Sequence, residues 1–294
     1  MTATAAAFVG IRVASKAFSF SAGDILILKF ALYNSSMVNN KEQKLKSLAG
    51  IRIPGVPLLA SYLTMSGISP NLQQYYRRSG WLERIGRGAY IWPGDVLDWQ
   101  GILHALQSQI NMPVHIGART ALALQGYAQF LRGEGERVFI FSSQTRILPA
   151  WTEDAAGRTK FCLCHTSFLM DDRSGITDIP HKTISIRCSS PERAILETLY
   201  LAPQTISYSE AYQLTENLDT LRPQLLQELL SGCNSIRVKR TFLLFADRAG
   251  HSWAQRLDRD KISLGKGVRS LGKNGVYLER YGLVIPQELN RLWQ

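Results

Sequence analysis

Asn71, Gln73, Gln74, Arg77 and Arg78 fall within eight residues, and no acid lies among them or between them. Carboxamides match the N6 and N7 edge of adenine, and guanidiniums match O6 and N7 of guanine. The set therefore holds the donors and acceptors that read base pairs in a major groove. A solvated helix face ordinarily mixes acids with bases, and this stretch does not. Arg84 and Arg87 follow, so that from Pro70 to Gly94 four arginines stand against a single carboxylate, Glu83.

The elements that would position these side chains are written into the same segment. Residues 41–48 read as a short amphipathic helix, and Ile51 to Ile53 as a brief extended piece before the Pro54-Gly55 turn. Pro57 is expected to open a helix that buries Leu59, Tyr62 and Leu63, with Gly67 in the left-handed position after its end. Ser69 then caps a second helix with Pro70 at its first position. Rotation by about 100° per residue puts Leu72, Tyr75, Tyr76 and Ser79 inward and Asn71, Gln73, Gln74, Arg77 and Arg78 outward. Trp81 to Ile85 and Ala89 to Trp92 read as strands joined by the turn Gly86-Arg87-Gly88. Two closely connected short helices followed by a hairpin describe a winged helix-turn-helix. Arg84 and Arg87 on the wing are placed to meet phosphates or a minor groove.

The whole chain agrees with a polyanionic partner. Its 294 residues carry a formal net charge of +11 and a sequence pI near 9.6, which attracts nucleic acid first among cellular polyanions. Hydrophobic residues make up 45% and charged residues 19%, as in a water-soluble globular protein. No run reaches the roughly 20 apolar residues of a membrane span, and a cytoplasmic location with no membrane partner is expected. Four cysteines in a chain of this length do not read as a disulfide framework. Cys162 and Cys164 have one residue between them, against the usual two to four or so of zinc sites, and their run, Lys160 to His165, alternates like a strand. No metal or cofactor is expected.

The expected fold is α+β: a winged helix-turn-helix over residues 37–98, then a larger mixed α/β domain over 99–294. Residues 1–36 read as a dispensable extension ahead of Met37. In the larger domain, helices are expected at Trp99 to Ile110, Ala118 to Leu131, 191–201, 207–217, 223–232 and 235–249, and strands at Arg137 to Phe141, Phe161 to His165 and Thr183 to Arg187. Ser189-Ser190-Pro191-Glu192 is a helix start with a capping serine. From Arg237 to Arg280 eleven Lys and Arg oppose four acids. Arg237, Lys239, Arg240, Lys266, Arg269 and Lys273 are therefore candidates for a second basic surface, with DNA, RNA, an acidic protein or only solvent facing it.

Enzymatic signatures are weak. Gly267 to Lys273 approaches a phosphate-binding loop, but Asn274-Gly275 replaces the Ser or Thr and the helix that such a loop needs, and signals a hairpin turn instead. Asp258 and Asp260 form an isolated acid pair. No catalytic residues are expected, and a nucleic-acid-processing enzyme is the more distant alternative.

The ordered series of motifs resembles the AbiEi-type antitoxins of bacterial abortive-infection, or type IV, toxin–antitoxin pairs. It runs from Tyr75-Tyr76-Arg77-Arg78-Ser79-Gly80-Trp81-Leu82-Glu83-Arg84-Ile85-Gly86-Arg87-Gly88-Ala89-Tyr90 through His115 to Leu122 and Ser190 to Ala194. It continues through Leu221-Arg222-Pro223, Ser235 to Arg240 and Asp258 to Arg269, and covers roughly residues 41–290. The resemblance implies a bipartite phage-defence regulator. Its winged helix would bind inverted repeats in its own promoter as a repressor, and its carboxy-terminal domain would neutralise a nucleotidyltransferase-like toxin encoded alongside. A stand-alone winged-helix regulator is the nearer alternative. The operator, the toxin, the mode of neutralisation and the oligomeric state are not written in the chain.

Overall fold

The computed structural model describes residues 45–128, 137–171 and 173–293. Residues 45–50 are helical and belong to a unit that ends at Ile51. The expected extension, residues 1–36, lies outside the described residues. A second compact unit begins at Arg52 and holds the rest of the chain.

That unit opens with β1 (Leu58–Leu59), α1 (Ala60–Met65), α2 (Pro70–Arg78), β2 (Glu83–Gly86) and β3 (Ala89–Ile91), its first sheet having the order β1-β3-β2. Pro57 does not open a helix. Leu58 and Leu59 instead pair antiparallel with Tyr90 and Ala89, giving the wing hairpin a third strand, and α1 begins only at Ala60. Ile51 to Ile53 likewise forms no strand. Arg52 there donates to the Asp95 carboxylate and lies 5.0 Å over the Trp92 ring.

The larger part of the unit follows without a break in packing. Asp98 accepts from the Gly101 N–H and caps α3 (Trp99–Ser108). Gln109, just past that helix, accepts from the Leu59 N–H at 2.9 Å and donates to the Pro57 carbonyl at 2.6 Å. Gly101 is needed where it stands, since a Cβ would fall 2.0 Å from the Gly55 carbonyl oxygen. Val56, Leu59 and Ala89 share one buried cluster with Ile102, Leu106, Ile116 and Ile195. The core is therefore continuous across the Asp98–Trp99 junction.

Next come β4 (His115–Ile116), α4 (Ala118–Leu124), β5 (Arg137–Ser142), α5 (Trp151–Ala155), β6 (Lys160–His165), β7 (Ile176–His181) and β8 (Ile184–Ser189). The five strands form a mixed sheet ordered β6-β5-β4-β8-β7. Helix α4 is shorter than its apolar run predicts, because the chain turns at Gly126 with φ 85°. Strand β7 tolerates Pro180 because it lies at the sheet edge, where one missing N–H costs little.

Helix α6 (Pro191–Leu201) then packs on α4 and β8, with α7 (Tyr208–Glu216), α8 (Pro223–Ser231) and α9 (Ile236–Ala249) packed against it, and the unit ends in a small sheet with α10 (Gln287–Arg291). That sheet places β11 (Leu283–Pro286) between β10 (Gly275–Leu278) and β9 (Arg269–Ser270). Asn274 takes a left-handed φ of 52° before β10, but β9 and β10 each pair with β11 and not with one another. A strand, not a helix, thus follows the sequence that approaches a phosphate loop.

One ionic cluster pins α4 and α6 to the sheet. Glu197 is fully buried and accepts four bonds: from His115 Nε2 (2.9 Å), the Ala118 N–H (3.0 Å), Ser189 Oγ (2.8 Å) and Arg193 Nε (2.9 Å). At the start of α6, Ser190 stands at the cap position without a side-chain capping bond, contrary to the motif's promise. Glu192 in the first turn instead accepts from the backbone N–H, Nε and Nη2 of Arg222.

Candidate nucleic-acid interface

Helices α1 and α2 are joined through Ser66, Gly67, Ile68 and Ser69. Gly67 takes φ 85°, Ile68 is buried, and Ser69 Oγ accepts from the Leu72 N–H at the start of α2. The tight turn is held by Gln73, which helical spacing alone puts on the outside. Gln73 is 3% exposed. Its amide nitrogen donates to the carbonyls of Ala60 (3.1 Å) and Ile68 (2.9 Å) and to Thr64 Oγ1 (3.0 Å).

Gln73 is thus withdrawn from the outward set, and Tyr75, 47% exposed, joins it. The physical reason is where the buried arc of α2 lies. Leu72, Gln73 and Tyr76 form the inward stripe at spacings of one, three and four, which brings an amide under α1 and swings Tyr75 out. The Ser69, Gln73, Tyr76 spacing was a legible signal, but the amide's polarity concealed it. Removing the amide leaves acceptors in the turn unpaired, so Gln73→Ala is expected to cost about 1–3 kcal/mol of stability, read as a lower urea midpoint with an unchanged slope.

Asn71, Gln74, Arg77 and Arg78 are exposed with Tyr75 on α2, and no acid occupies its first turn. The two arginines also suit the last turn of a helix, whose carbonyl end favours cations. A groove of about 480 Å³ runs between α1, α2 and the wing, lined by Ser61, Thr64, Gln74, Arg77 and Tyr90. Arg84 and Arg87 are exposed on the hairpin, and Arg84 Nε donates to the Gly86 carbonyl at 3.1 Å. Ser61 and Tyr90 had no signal in sequence, because each becomes part of the groove only when the wing folds over α1.

The hairpin's position is set from behind. Gly86 lies against α5, where a Cβ would fall 2.6 Å from that of Trp151, and Trp151 is itself buried in the main core. Arg84 on β2 and Arg87 in the turn after it thereby stand on a hairpin backed by packed side chains.

The six candidates for a second basic surface divide into two groups. Arg237, Lys239 and Arg240 do not form a surface. Lys239 and Arg240 are 3% and 5% exposed. Arg237 donates to the carbonyls of Ala202 and Tyr200 and to the Tyr208 hydroxyl. Arg240 donates to the carbonyls of Leu264 (2.9 Å), Gly265 (3.1 Å), Gly267 (2.6 Å) and Gly282 (2.8 Å). These guanidiniums are internal cross-braces, and helical spacing turned them to the core side of α9. Lys266, Arg269 and Lys273 are exposed beside Val268, Val276 and Tyr277.

Other candidates have ordinary surroundings. Asp258 pairs with Lys261 at 2.8 Å. Cys162 and Cys164 lie on β6 as free thiols, and burial pushes Cys164 up to about 11. Among the described residues no three His, Cys, Asp or Glu side chains converge as a metal site, and no helix is long and apolar enough to cross a membrane.

Two helices at a tight turn with a three-stranded wing define a winged helix-turn-helix protein of α+β class, with a smaller amino-terminal and a larger carboxy-terminal domain. The chain belongs to the AbiEi family of type IV toxin–antitoxin transcriptional regulators. Residues 41–133 match the model of the AbiEi antitoxin amino-terminal domain, and residues 135–286 match that of the AbiEi transcriptional regulator antitoxin. Among solved structures, the RV2827C protein from Mycobacterium tuberculosis shares the fold at a TM-score of 0.55 and 17% identity, over 81% of this chain and 89% of that one. No curated protein sequence matches the chain significantly.

Proposed function

We propose that this antitoxin binds operator DNA in its own promoter through α2 and the wing, represses its operon, and neutralises a nucleotidyltransferase-like toxin through the larger domain. The observation that carries the DNA half is the acid-free outward face of α2, Asn71, Gln74, Tyr75, Arg77 and Arg78, together with exposed Arg84 and Arg87 on a backed wing. Asn71, Gln74, Arg77 and Arg78 are assigned to base edges, and Arg84 and Arg87 to phosphates or a minor groove. Gln73 serves the same surface indirectly, by fixing the turn that aims α2. The antitoxin half rests on family membership, and Lys266, Arg269 and Lys273 with Tyr277 are the exposed residues assigned to the toxin.

Footprinting on the DNA upstream of the coding sequence tests the first half. Protection of paired inverted repeats is expected, with affinity falling steeply as salt rises. Coexpression with the adjacent reading frame tests the second. Rescue of growth by wild type and its loss in a Lys266→Ala/Arg269→Ala/Lys273→Ala variant are expected, whereas rescue at full strength by that variant would move the toxin surface elsewhere. A footprint without any toxic neighbour would leave a stand-alone regulator.

A further inference from the structure

The five-stranded sheet contains a break. Strand β4 supplies only His115 and Ile116 between the six-residue β5 and β8. Pro113 has no N–H to donate, and the Val114 N–H turns to the Met112 carbonyl at 2.8 Å, so the ladder stops at His115. Gln107 repairs part of the gap. Its amide donates to the carbonyls of Val114 (3.0 Å) and Arg187 (3.2 Å), and its carbonyl accepts from the Arg187 N–H (2.9 Å).

Beside this repair lies a cavity of about 570 Å³, whose lining includes Val114, His115, Gln144, Arg173, Ile176 and Arg187. Its size falls in the range of small-molecule sites, roughly 300–1,000 Å³. Among the described residues that line it there is no carboxylate. Two of its cationic or basic groups are anchored from behind. The Arg187 guanidinium donates to the carbonyls of Met112 (2.8 Å) and Gln107 (3.4 Å). The His115 ring is stacked 6.0 Å from that of Phe141 and bonded to buried Glu197. Arg173 stands at the rim, exposed, its backbone N–H held by the Asp171 carboxylate at 2.8 Å.

Guanidinium forks match the oxygens of phosphate and carboxylate groups, and anchoring lowers the entropy lost on binding. We propose that this cavity binds a small phosphate-bearing molecule. Its phosphate meets Arg173, Arg187 and His115, and the rest of it lies against Val114 and Ile176. The site is separate from the DNA-binding face and stands or falls independently of the proposed function.

Calorimetric titration of the full chain with inorganic phosphate, pyrophosphate and a nucleoside monophosphate, at ionic strength fixed with chloride, is the test. One saturable site per chain is expected. Arg173→Ala is expected to weaken it about tenfold or more, the loss of a charge-assisted bond, with the unfolding midpoint of the unliganded protein unchanged. Arg77→Ala/Arg78→Ala and Lys273→Ala are expected to bind like wild type, which separates the cavity from DNA-face and general surface charge. Tightest binding of pyrophosphate would point to an inorganic ligand, and tightest binding of the nucleotide to a base or sugar on the Val114 and Ile176 wall. Absence of saturable binding to wild type, unweakened binding by Arg173→Ala, or equal weakening by Lys273→Ala would overturn the proposal.

Discussion

Glu197→Ala is expected to lower the thermal unfolding midpoint at neutral pH by roughly 10 °C, or to leave no folded protein at all. Removing one partner of a buried ion pair costs about 3–5 kcal/mol, and one kcal/mol moves the midpoint of a domain this size by about 2–4 °C. Here the loss strands several groups at once: His115 Nε2, the Ala118 N–H, Ser189 Oγ and Arg193 Nε all lose their acceptor. Burial alone would push the Glu197 carboxyl up, but His115, Arg193 and Ser189 outweigh it and hold it below its ordinary value of 4.5. A depressed carboxyl contributes stability that is present above its unfolded value and lost as pH falls through its folded one. Asp98, Glu192 and Asp247 are shifted the same way, after their own desolvation is outweighed by Lys182 and His181, by Arg222, and by Arg259 and Tyr281 respectively. Wild type is therefore expected to lose stability on acidification below about pH 4.5. Glu197→Ala should show a shallower loss across that window. Near-ultraviolet circular dichroism on a pH series checks both, and an unchanged midpoint in Glu197→Ala would refute the pinning role.

Arg240→Met is expected to be comparably damaging, by about 3–5 kcal/mol, because it keeps the apolar volume while leaving four carbonyls without their donor. One planar fork ties the Leu264 to Gly267 loop and Gly282 to α9. Gly282 packs so closely that an added Cβ would fall 2.7 Å from the guanidinium. Lysine brings a single ammonium that cannot satisfy this geometry, so Arg240→Lys is expected to restore less than half of the loss. Limited proteolysis should find new cleavage between Leu264 and Gly282 in both variants. Protection equal to wild type would show that the loop is held by other contacts.

These two sites mark where sequence was opaque. Charge and helical spacing identified Arg237, Lys239 and Arg240 as basic but not as inward, since a buried guanidinium is revealed by its carbonyl partners, and those come from residues 24 to 42 positions away. Gln73 was hidden for the converse reason: an amide on an otherwise polar helix reads as exposed until α1 is placed over it. Strand β4 is two residues long, too short for alternation to register, and Pro180 masked β7. What could be read were elements with local punctuation. Ser69-Pro70 starts α2, Pro191 and Pro223 start α6 and α8, Ser235 caps α9, and Gly250 ends it in the left-handed region. The strand Lys160 to His165 followed from its alternation. The helix-turn-helix and its wing were legible because each of their turns has its own glycine or proline.

The central claim is that α2 and the wing read operator DNA. It is tested most directly by measuring operator and non-specific DNA affinity for Arg77→Ala/Arg78→Ala beside Lys266→Ala/Arg269→Ala/Lys273→Ala at one salt concentration. Each base-reading arginine is worth about 1–3 kcal/mol. The first variant is therefore expected to lose at least tenfold in operator affinity and most of its preference for operator, while keeping wild-type stability. The second is expected to retain that preference. Wild-type operator preference in the Arg77→Ala/Arg78→Ala variant, or its collapse only in the Lys266→Ala/Arg269→Ala/Lys273→Ala variant, would contradict the account.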